Sequence, residues 1–309
     1  MEPLRFDDRV AVITGAGRGI GAAHARLLAA RGCQVVINDL GVTASGTGGD
    51  TTPARATADA IRAAGGTAIS DTSDIAAPEG ARELVRRAVD AFGRVDIVIN
   101  NAGIYELDSF PELELDDLRR HWDVHVGGSF NVTRAAWPEL SARGDGRVVM
   151  TTSTGALGAS TMTSYGSAKA GVAGLARALA QSGAASGIKV NLVAPFADTR
   201  MNAIGTGRAE DDVPADAEQR TADLVSPMVA CLAHESCPVT GETFLSGMGR
   251  FARFFIAETD GYLPEDPPTI ESLATHWNTI TDPSRGYGIT TDVWNWSERN
   301  AGVLGGGRG

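Results

Sequence analysis

Residues 10–21 read Val10-Ala11-Val12-Ile13-Thr14-Gly15-Ala16-Gly17-Arg18-Gly19-Ile20-Gly21, and this stretch decides the fold. Val10–Thr14 is a short apolar run of the kind needed by a strand buried on both faces. Ile20–Arg31 then places apolar residues at helical spacing. Between them, glycines at positions 15, 17, 19 and 21 permit a tight turn and let backbone N–H groups approach an anion closely. The helix that follows directs the positive end of its dipole at that anion. On its own such a run also fits an ordinary strand–helix turn; its place between a strand and a helix gives it meaning.

The same rhythm continues outward. Strands are predicted at Gln34–Asn38, Thr67–Ser70, Val95–Asn100, Gly146–Thr151 and Lys189–Val193, with a short seventh at Phe244–Leu245. Helical stretches alternate with them at Ala54–Ala64, Ala81–Phe92, Leu115–Ala136, Ser164–Ser182 and Thr221–Ala233. Apolar strands separated by helices imply an α/β fold, a Rossmann-type doubly wound parallel sheet covered on both faces. This domain is expected over residues 1–250. Residues 251–309 are expected to form a C-terminal extension packed on the same domain, with a helix at Ser272–Thr279 and a frayed end at Gly305–Gly309. Gly41–Asp50 (GVTASGTGGD) reads as a flexible insertion.

The chain has 309 residues, 43% of them hydrophobic and 21% charged, which suits a globular core and not a disordered chain. A formal net charge of -11 argues against a binder of the nucleic-acid backbone. Cys33, Cys231 and Cys237 make no Cys-x-x-Cys pair, so a reduced, cytoplasmic setting is expected and not a disulfide framework. No uncharged apolar run is long enough to span a membrane, and Met1–Val10 lacks the apolar core of a signal peptide. His24, His121, His234 and His276 show no metal-ligand spacing; no metal is expected.

The glycine loop calls for a pyrophosphate, and Asp39, closing the second strand, can accept both hydroxyls of an adenine ribose while repelling a ribose 2′-phosphate. That favours NAD over NADP; Arg18, able to contact a 2′-phosphate, argues the other way. Asp74, with Ile75 beside it, suits either the adenine amino group or a helix cap. Tyr165-Gly166-Ser167-Ala168-Lys169 puts a phenol and an ammonium on one helix face. The cation, joined by the charge of an oxidised nicotinamide, is expected to lower the phenol's pKa from about 10 and make it an acid–base group near neutral pH. Thr151-Thr152-Ser153-Thr154 offers a second hydroxyl for the substrate oxygen. Tyr105, Phe110, Phe196 and Met201 are candidates for an apolar substrate wall, and equally for plain anchors.

Taken in order, Thr14–Gly21, Asn100-Asn101-Ala102-Gly103, the hydroxyl cluster and Tyr165/Lys169 resemble the short-chain dehydrogenase/reductase family over about residues 1–250. The resemblance implies pyrophosphate contacts at Gly15, Arg18, Ile20 and Gly21, an adenosine contact along Asn101, Ala102 and Gly103, and a nicotinamide carboxamide loop at Pro195 and Thr199. It implies catalysis by Ser153, Tyr165 and Lys169. The serine matches from the strand end, whereas the family's usual spacing back from Tyr165 lands on Thr152. His125 stands where asparagine is usual, and reads either as a packed core histidine or as a group whose backbone serves a proton path. Ala197–Glu218 resembles the family's mobile lid and is notably acidic.

A narrower resemblance rests on Asn38-Asp39-Leu40-Gly41 with its insertion, Val124–Trp137 and Leu232–Cys237. It is to the (3R)-hydroxyacyl-CoA dehydrogenase domain of peroxisomal multifunctional enzymes of type 2 and their stand-alone bacterial relatives, in which histidine at position 125 is usual. It implies NAD-dependent oxidation of a 3-hydroxyacyl-CoA in a homodimer or homotetramer. Two alternatives stand beside it: a hydroxysteroid or other secondary-alcohol dehydrogenase, and a non-catalytic NAD-binding sensor.

Overall fold

The computed structural model describes residues 3–199, 201, 203, 217–264 and 266–300. They fall into two compact units, residues 1–253 and 254–309.

The first unit is built on one sheet. Strands β1 (Val10–Thr14), β2 (Gln34–Asn38), β3 (Thr67–Asp71), β4 (Ile97–Asn100), β5 (Arg147–Thr151), β6 (Lys189–Phe196), β7 (Thr243–Gly247) and β8 (Arg250–Phe254) run across it in the order β3-β2-β1-β4-β5-β6-β7-β8. Pairing from β3 through β7 is parallel. Side chains alternate between faces along each strand. Ala11, Ile13, Val35 and Ile37 therefore face one core, with α1 (Gly19–Ala30), α2 (Thr52–Ala63) and α7 (Ser226–Ala233). Val12, Val36 and Val98 face the other, with α3 (Pro78–Phe92), α5 (Gly128–Arg143) and α6 (Thr163–Gly183). Both cores consist mainly of branched aliphatics and alanines, and each fully buried Leu or Ile side chain contributes roughly 1.5–3 kcal/mol. β1 pairs with β2 on one side and β4 on the other, so the chain reverses its progress there and opens a crevice at the strand ends.

Several boundaries differ from expectation. Leu115–Ala136 is not one α-helix: α4 (Leu115–Trp122) passes through a single π-helical turn, Asp123–Gly127, into α5. That turn widens the backbone beside Gly127-Gly128, a pair that accommodates a distortion. α5 runs on through Pro138 to Arg143. β6 runs past Val193 and through Pro195. β5 ends opposite Val193, so at Pro195 only β7 lies alongside, and the missing N–H leaves no ladder bond empty on the β5 side. The helix expected from Thr221 begins at Ser226, where Pro227 occupies the first turn. β8 was not foreseen; Met248 and Gly249, at φ 51 and 70, form the two-residue reversal that leads into it.

In the second unit, β9 (Ala257–Thr259) pairs antiparallel with β10 (Tyr287–Ile289). The expected helix at Ser272–Thr279 is two short ones, α8 (Ile270–Thr275) and α9 (Trp277–Thr281), broken at His276, whose ring stacks on Tyr262 at 4.0 Å. α10 (Val293–Arg299) is capped by Asp292, which accepts from the N–H groups of Trp294 and Asn295. The frayed end expected at Gly305–Gly309 lies outside the described residues.

Candidate active site

The crevice beside β1 and β4 is a cavity of about 910 Å³, lined by the expected cofactor residues Gly15, Arg18, Ile20, Gly21, Asp39, Asp74, Ile75, Asn101, Ala102, Gly103, Pro195 and Thr199 and by Ser153, Tyr165 and Lys169, whereas Gly17 and His125 lie behind its surface. At the β1 end the chain packs main chain on main chain. Gly15 has φ 60, and a Cβ there would lie 2.7 Å from the Ala102 Cα. A Cβ on Gly21 would lie 2.3 Å from the Gly15 carbonyl oxygen. Asn101 fastens the loop by donating from Nδ2 to the carbonyls of Thr14 and Gly15, each at 3.0 Å. The Thr14 hydroxyl oxygen accepts from the N–H groups of Asn101 and Ala102 at 3.1 Å. Asp39 shapes the loop as well: its two carboxylate oxygens accept from Gly17 and Gly41 N–H, both at 2.8 Å. No side chain caps the N-terminus of α1, and Arg18 leans toward Asp50 at 3.9 Å. A cradle closed to any Cβ, an uncapped helix start and a carboxylate at the second strand fit a dinucleotide.

Asp74 does not cap α3 directly; its side chain accepts from Ala76 N–H at 2.9 Å, in the turn before the helix. Ile75 is buried beside it. The Gly41–Asp50 insertion is more ordered than expected. Thr43 bonds the hydroxyls of Ser45 and Thr47, Ala44 is buried, and the Ala44 carbonyl accepts from Tyr105 N–H at 2.8 Å.

At the β5 end side chains converge. The hydroxyl of Thr152 is spent on the Lys169 carbonyl at 2.8 Å. Ser153 accepts from Gly155 N–H at 3.0 Å, and its hydroxyl lies close enough to Tyr165 to pull the phenol's pKa down. Lys169 Nζ donates to the Thr151 carbonyl at 2.8 Å and lies 5.7 Å from the centre of the Tyr165 ring. Burial lowers the Lys169 pKa to about 7. The protein's own groups push the Tyr165 phenol upward, whereas the lowering expected above includes the charge of a bound oxidised nicotinamide. Desolvation raises its pKa above the ordinary value, against a downward pull from Ser153, because losing water costs a phenolate more than that one hydroxyl returns.

Asp108 escaped the sequence, and His125 and Tyr105, named there as a packed histidine or proton-path group and as a wall candidate, make contacts with Tyr165 that the sequence did not reveal. Asp108 accepts from the N–H groups of Thr163 at 2.7 Å and Ser164 at 3.0 Å, anchoring the start of the helix that carries Tyr165. Its only signal is a lone carboxylate far along the chain. His125, in the π turn, is buried with Nε2 2.9 Å from the Ile104 carbonyl and its ring edge-on to Tyr165, centroids 5.5 Å apart. Burial foremost, then the Lys169 charge, holds its pKa well below the ordinary value, so it is a neutral packing residue here. A Cβ on Gly103 would strike this ring at 2.4 Å, which accounts for glycine after Asn101-Ala102. Tyr105 packs edge-on against Tyr165 from another side, centroids 5.0 Å apart. Of the expected apolar wall, Tyr105, Phe196 and Met201 line the cavity, whereas Phe110 is 77% exposed and does not. It opens a surface turn, where its ring meets solvent. Most of the expected lid, Ala197–Glu218, lies outside the described residues. Among the described residues there is no group of metal ligands and no helix long and apolar enough to cross a membrane.

A doubly wound sheet with a glycine cradle at one end of its crevice and a Ser–Tyr–Lys cluster at the other defines a dinucleotide-dependent oxidoreductase. Residues 9–206 match the family described as short chain dehydrogenase, and the chain belongs to the short-chain dehydrogenase/reductase family, whose members use NAD or NADP. It is 38% identical to a short-chain type dehydrogenase/reductase of Mycobacterium tuberculosis over 90% of this chain and 95% of that one. It is also 38% identical to peroxisomal multifunctional enzyme type 2 of Drosophila melanogaster, over 91% of this chain but 46% of that enzyme. The solved full-length structure of that enzyme superposes with a TM-score of 0.79 at 30% identity, covering 98% of this chain and 50% of that one. The chain thus spans about half the length of the multifunctional enzyme. A 7α-hydroxysteroid dehydrogenase solved with NADH and 7-oxo glycochenodeoxycholic acid superposes at TM-score 0.69 and 27% identity, covering 81% of this chain and 98% of that one.

Proposed function

We propose that the chain is an NAD-dependent dehydrogenase of secondary alcohols whose substrate is a 3-hydroxyacyl-CoA. The observation that carries the chemistry is the meeting of Ser153, Tyr165 and Lys169 on one cavity wall. Gly15, Arg18, Ile20 and Gly21 would hold the pyrophosphate, Asp39 the adenine ribose, Asn101, Ala102 and Gly103 the adenosine side, and Pro195 and Thr199 the carboxamide. When bound, the cofactor accepts the hydride leaving the carbinol carbon. Ser153 donates to the substrate oxygen, and Tyr165 removes its proton. Burial alone leaves Tyr165 a poor base, so its ionisation depends on positive charge beside it, the role of Lys169. Asp39 disfavours a 2′-phosphate, and Asp50 draws Arg18 away from offering one a partner; both support NAD. The thioester rests on the likeness to the multifunctional enzyme along nine-tenths of the chain. A hydroxysteroid substrate is the second reading, supported by the steroid dehydrogenase neighbour.

The test is turnover of 3-hydroxyacyl-CoA esters against hydroxysteroids, with NAD and with NADP, read from absorbance of the reduced cofactor. Turnover of the CoA esters with NAD is expected, and Tyr165→Phe should lower kcat by about 10³-fold with NADH binding retained. Steroid turnover with inert CoA esters selects the second reading, preference for NADP removes the role given to Asp39, and binding without turnover on either panel leaves a sensor.

A further inference from the structure

Tyr105 lines the cavity, yet nothing in the reaction above uses it. Its side chain is only 5% exposed, and its hydroxyl has no hydrogen-bond partner among the described residues. Its backbone is tied to the insertion through Ala44, and its ring braces Tyr165 edge-on. The bracing needs only a ring; phenylalanine would supply it without burying a hydroxyl. Leaving a buried donor unpaired is unfavourable. The oxygen is therefore placed for an acceptor that arrives with a ligand. Burial and the Asp108 carboxylate keep the Tyr105 phenol above its ordinary pKa, so it remains a donor at neutral pH.

The acceptor is not the reacting oxygen. Ser153 and Tyr165 already address that atom, so Tyr105 must meet a second oxygen of the same substrate. In a 3-hydroxyacyl thioester that oxygen exists, on the carbonyl one methylene from the carbinol. We infer that the Tyr105 hydroxyl donates to the thioester carbonyl and makes the enzyme select alcohols bearing this second acceptor. The inference rests on the 3-hydroxyacyl reading above.

Tyr105→Phe deletes the oxygen and keeps the bracing ring. Two probes differ in the carbonyl alone: 3-hydroxybutyryl-CoA and its thioether analogue S-(3-hydroxybutyl)-CoA, the latter read as substrate or, if inert, as competitive inhibitor. The variant should lose about 10-fold in kcat/KM on the thioester, while its value for the thioether stays within about twofold, as expected when only one probe offers the acceptor. The pH profile of the thioester reaction should keep its midpoint, since Tyr165 is untouched. Equal losses on both probes would make Tyr105 a brace for Tyr165 only, and no loss on either would leave its hydroxyl idle; both overturn the inference and leave the 3-hydroxyacyl reading intact. A wild-type enzyme that turns over steroids and ignores 3-hydroxybutyryl-CoA removes that reading, and this inference with it.

Discussion

Beside β1 the cavity wall is main chain: Gly15 against Ala102, Gly21 against the Gly15 carbonyl, with Asn101 and Asp39 bonding the backbone itself. Beside β5 the wall is side chains, and two ionisable groups there, Lys169 in the wall and His125 packed on Tyr165, are held away from water. The first end costs less, because the side chains that fasten it, Thr14, Asp39 and Asn101, are hydrogen-bonded to main chain. The second stores unfavourable desolvation at the place where charge must appear during reaction, which fits the clustering of perturbed groups at functional sites. The lesson is that one cavity combines a rigid holder with a strained reactor, and the two should fail differently.

The largest effect is expected at Lys169. Lys169→Met should lower kcat by roughly 10²–10³-fold, the scale of losing acid–base competence at Tyr165. Stability should move the opposite way. The folded pKa of about 7 lies below the unfolded value of about 10.4. Below pH 7 the amine is charged in both states, so its burial penalty is fully present. As pH rises from about 7 toward 10, the unfolded state holds more protons and the penalty fades. In cofactor-free protein the variant should therefore unfold at a higher temperature than wild type at pH 6, with the advantage shrinking by pH 10. A difference that ignores pH would mean that Lys169 is solvated, and the contrast between the two ends would collapse.

Gly21→Ala probes the other end. The new Cβ meets the Gly15 carbonyl at 2.3 Å, and backbone on both sides leaves no cheap escape. Overpacking of this kind costs about 1–3 kcal/mol, so NADH affinity measured by fluorescence titration should fall by about 10- to 100-fold. The pH profile of residual turnover should keep its midpoint, since nothing at the β5 end has moved. A shifted midpoint would show that the holder tunes the reactor.

The holder was legible because it is local. Its glycines, their strand and their helix are contiguous, and Asp39 ends the next strand. The Tyr165/Lys169 pair was legible for the same reason, lying one helical turn apart. What surrounds that pair was not. Asp108, Tyr105 and His125 reach it from a loop and a π turn distant in sequence, and no periodicity announces a contact made only after the sheet has formed. The end of β6 was missed because its continuation past Val193 pairs with only one neighbouring strand, a contact the local sequence does not display. The desolvation of Tyr165 was not legible either, because spacing reveals the nearby cation but not how much water is excluded.

Asp108 offers the smallest effect and the sharpest division between holding and reacting. Met162, preceding α6, makes no side-chain cap, so two N–H groups of the first turn depend on this one remote carboxylate. Asp108→Ala should cost about 1 kcal/mol, the usual worth of a helix cap, and lower the unfolding midpoint by about 2–4 °C for a unit of this size. Tyr165 lies within the same first turn, so kcat should fall only a few-fold as that turn loosens. Asp108→Asn keeps one of the two acceptor oxygens and turns an NH2 group toward the other N–H, so it should restore only part of both. If Asp108→Ala instead removed activity as deeply as Tyr165→Phe while stability held, Asp108 would belong to the reaction. The reactor would then extend into the β4 loop, and it could no longer be described as side chains of β5 and α6 braced from outside.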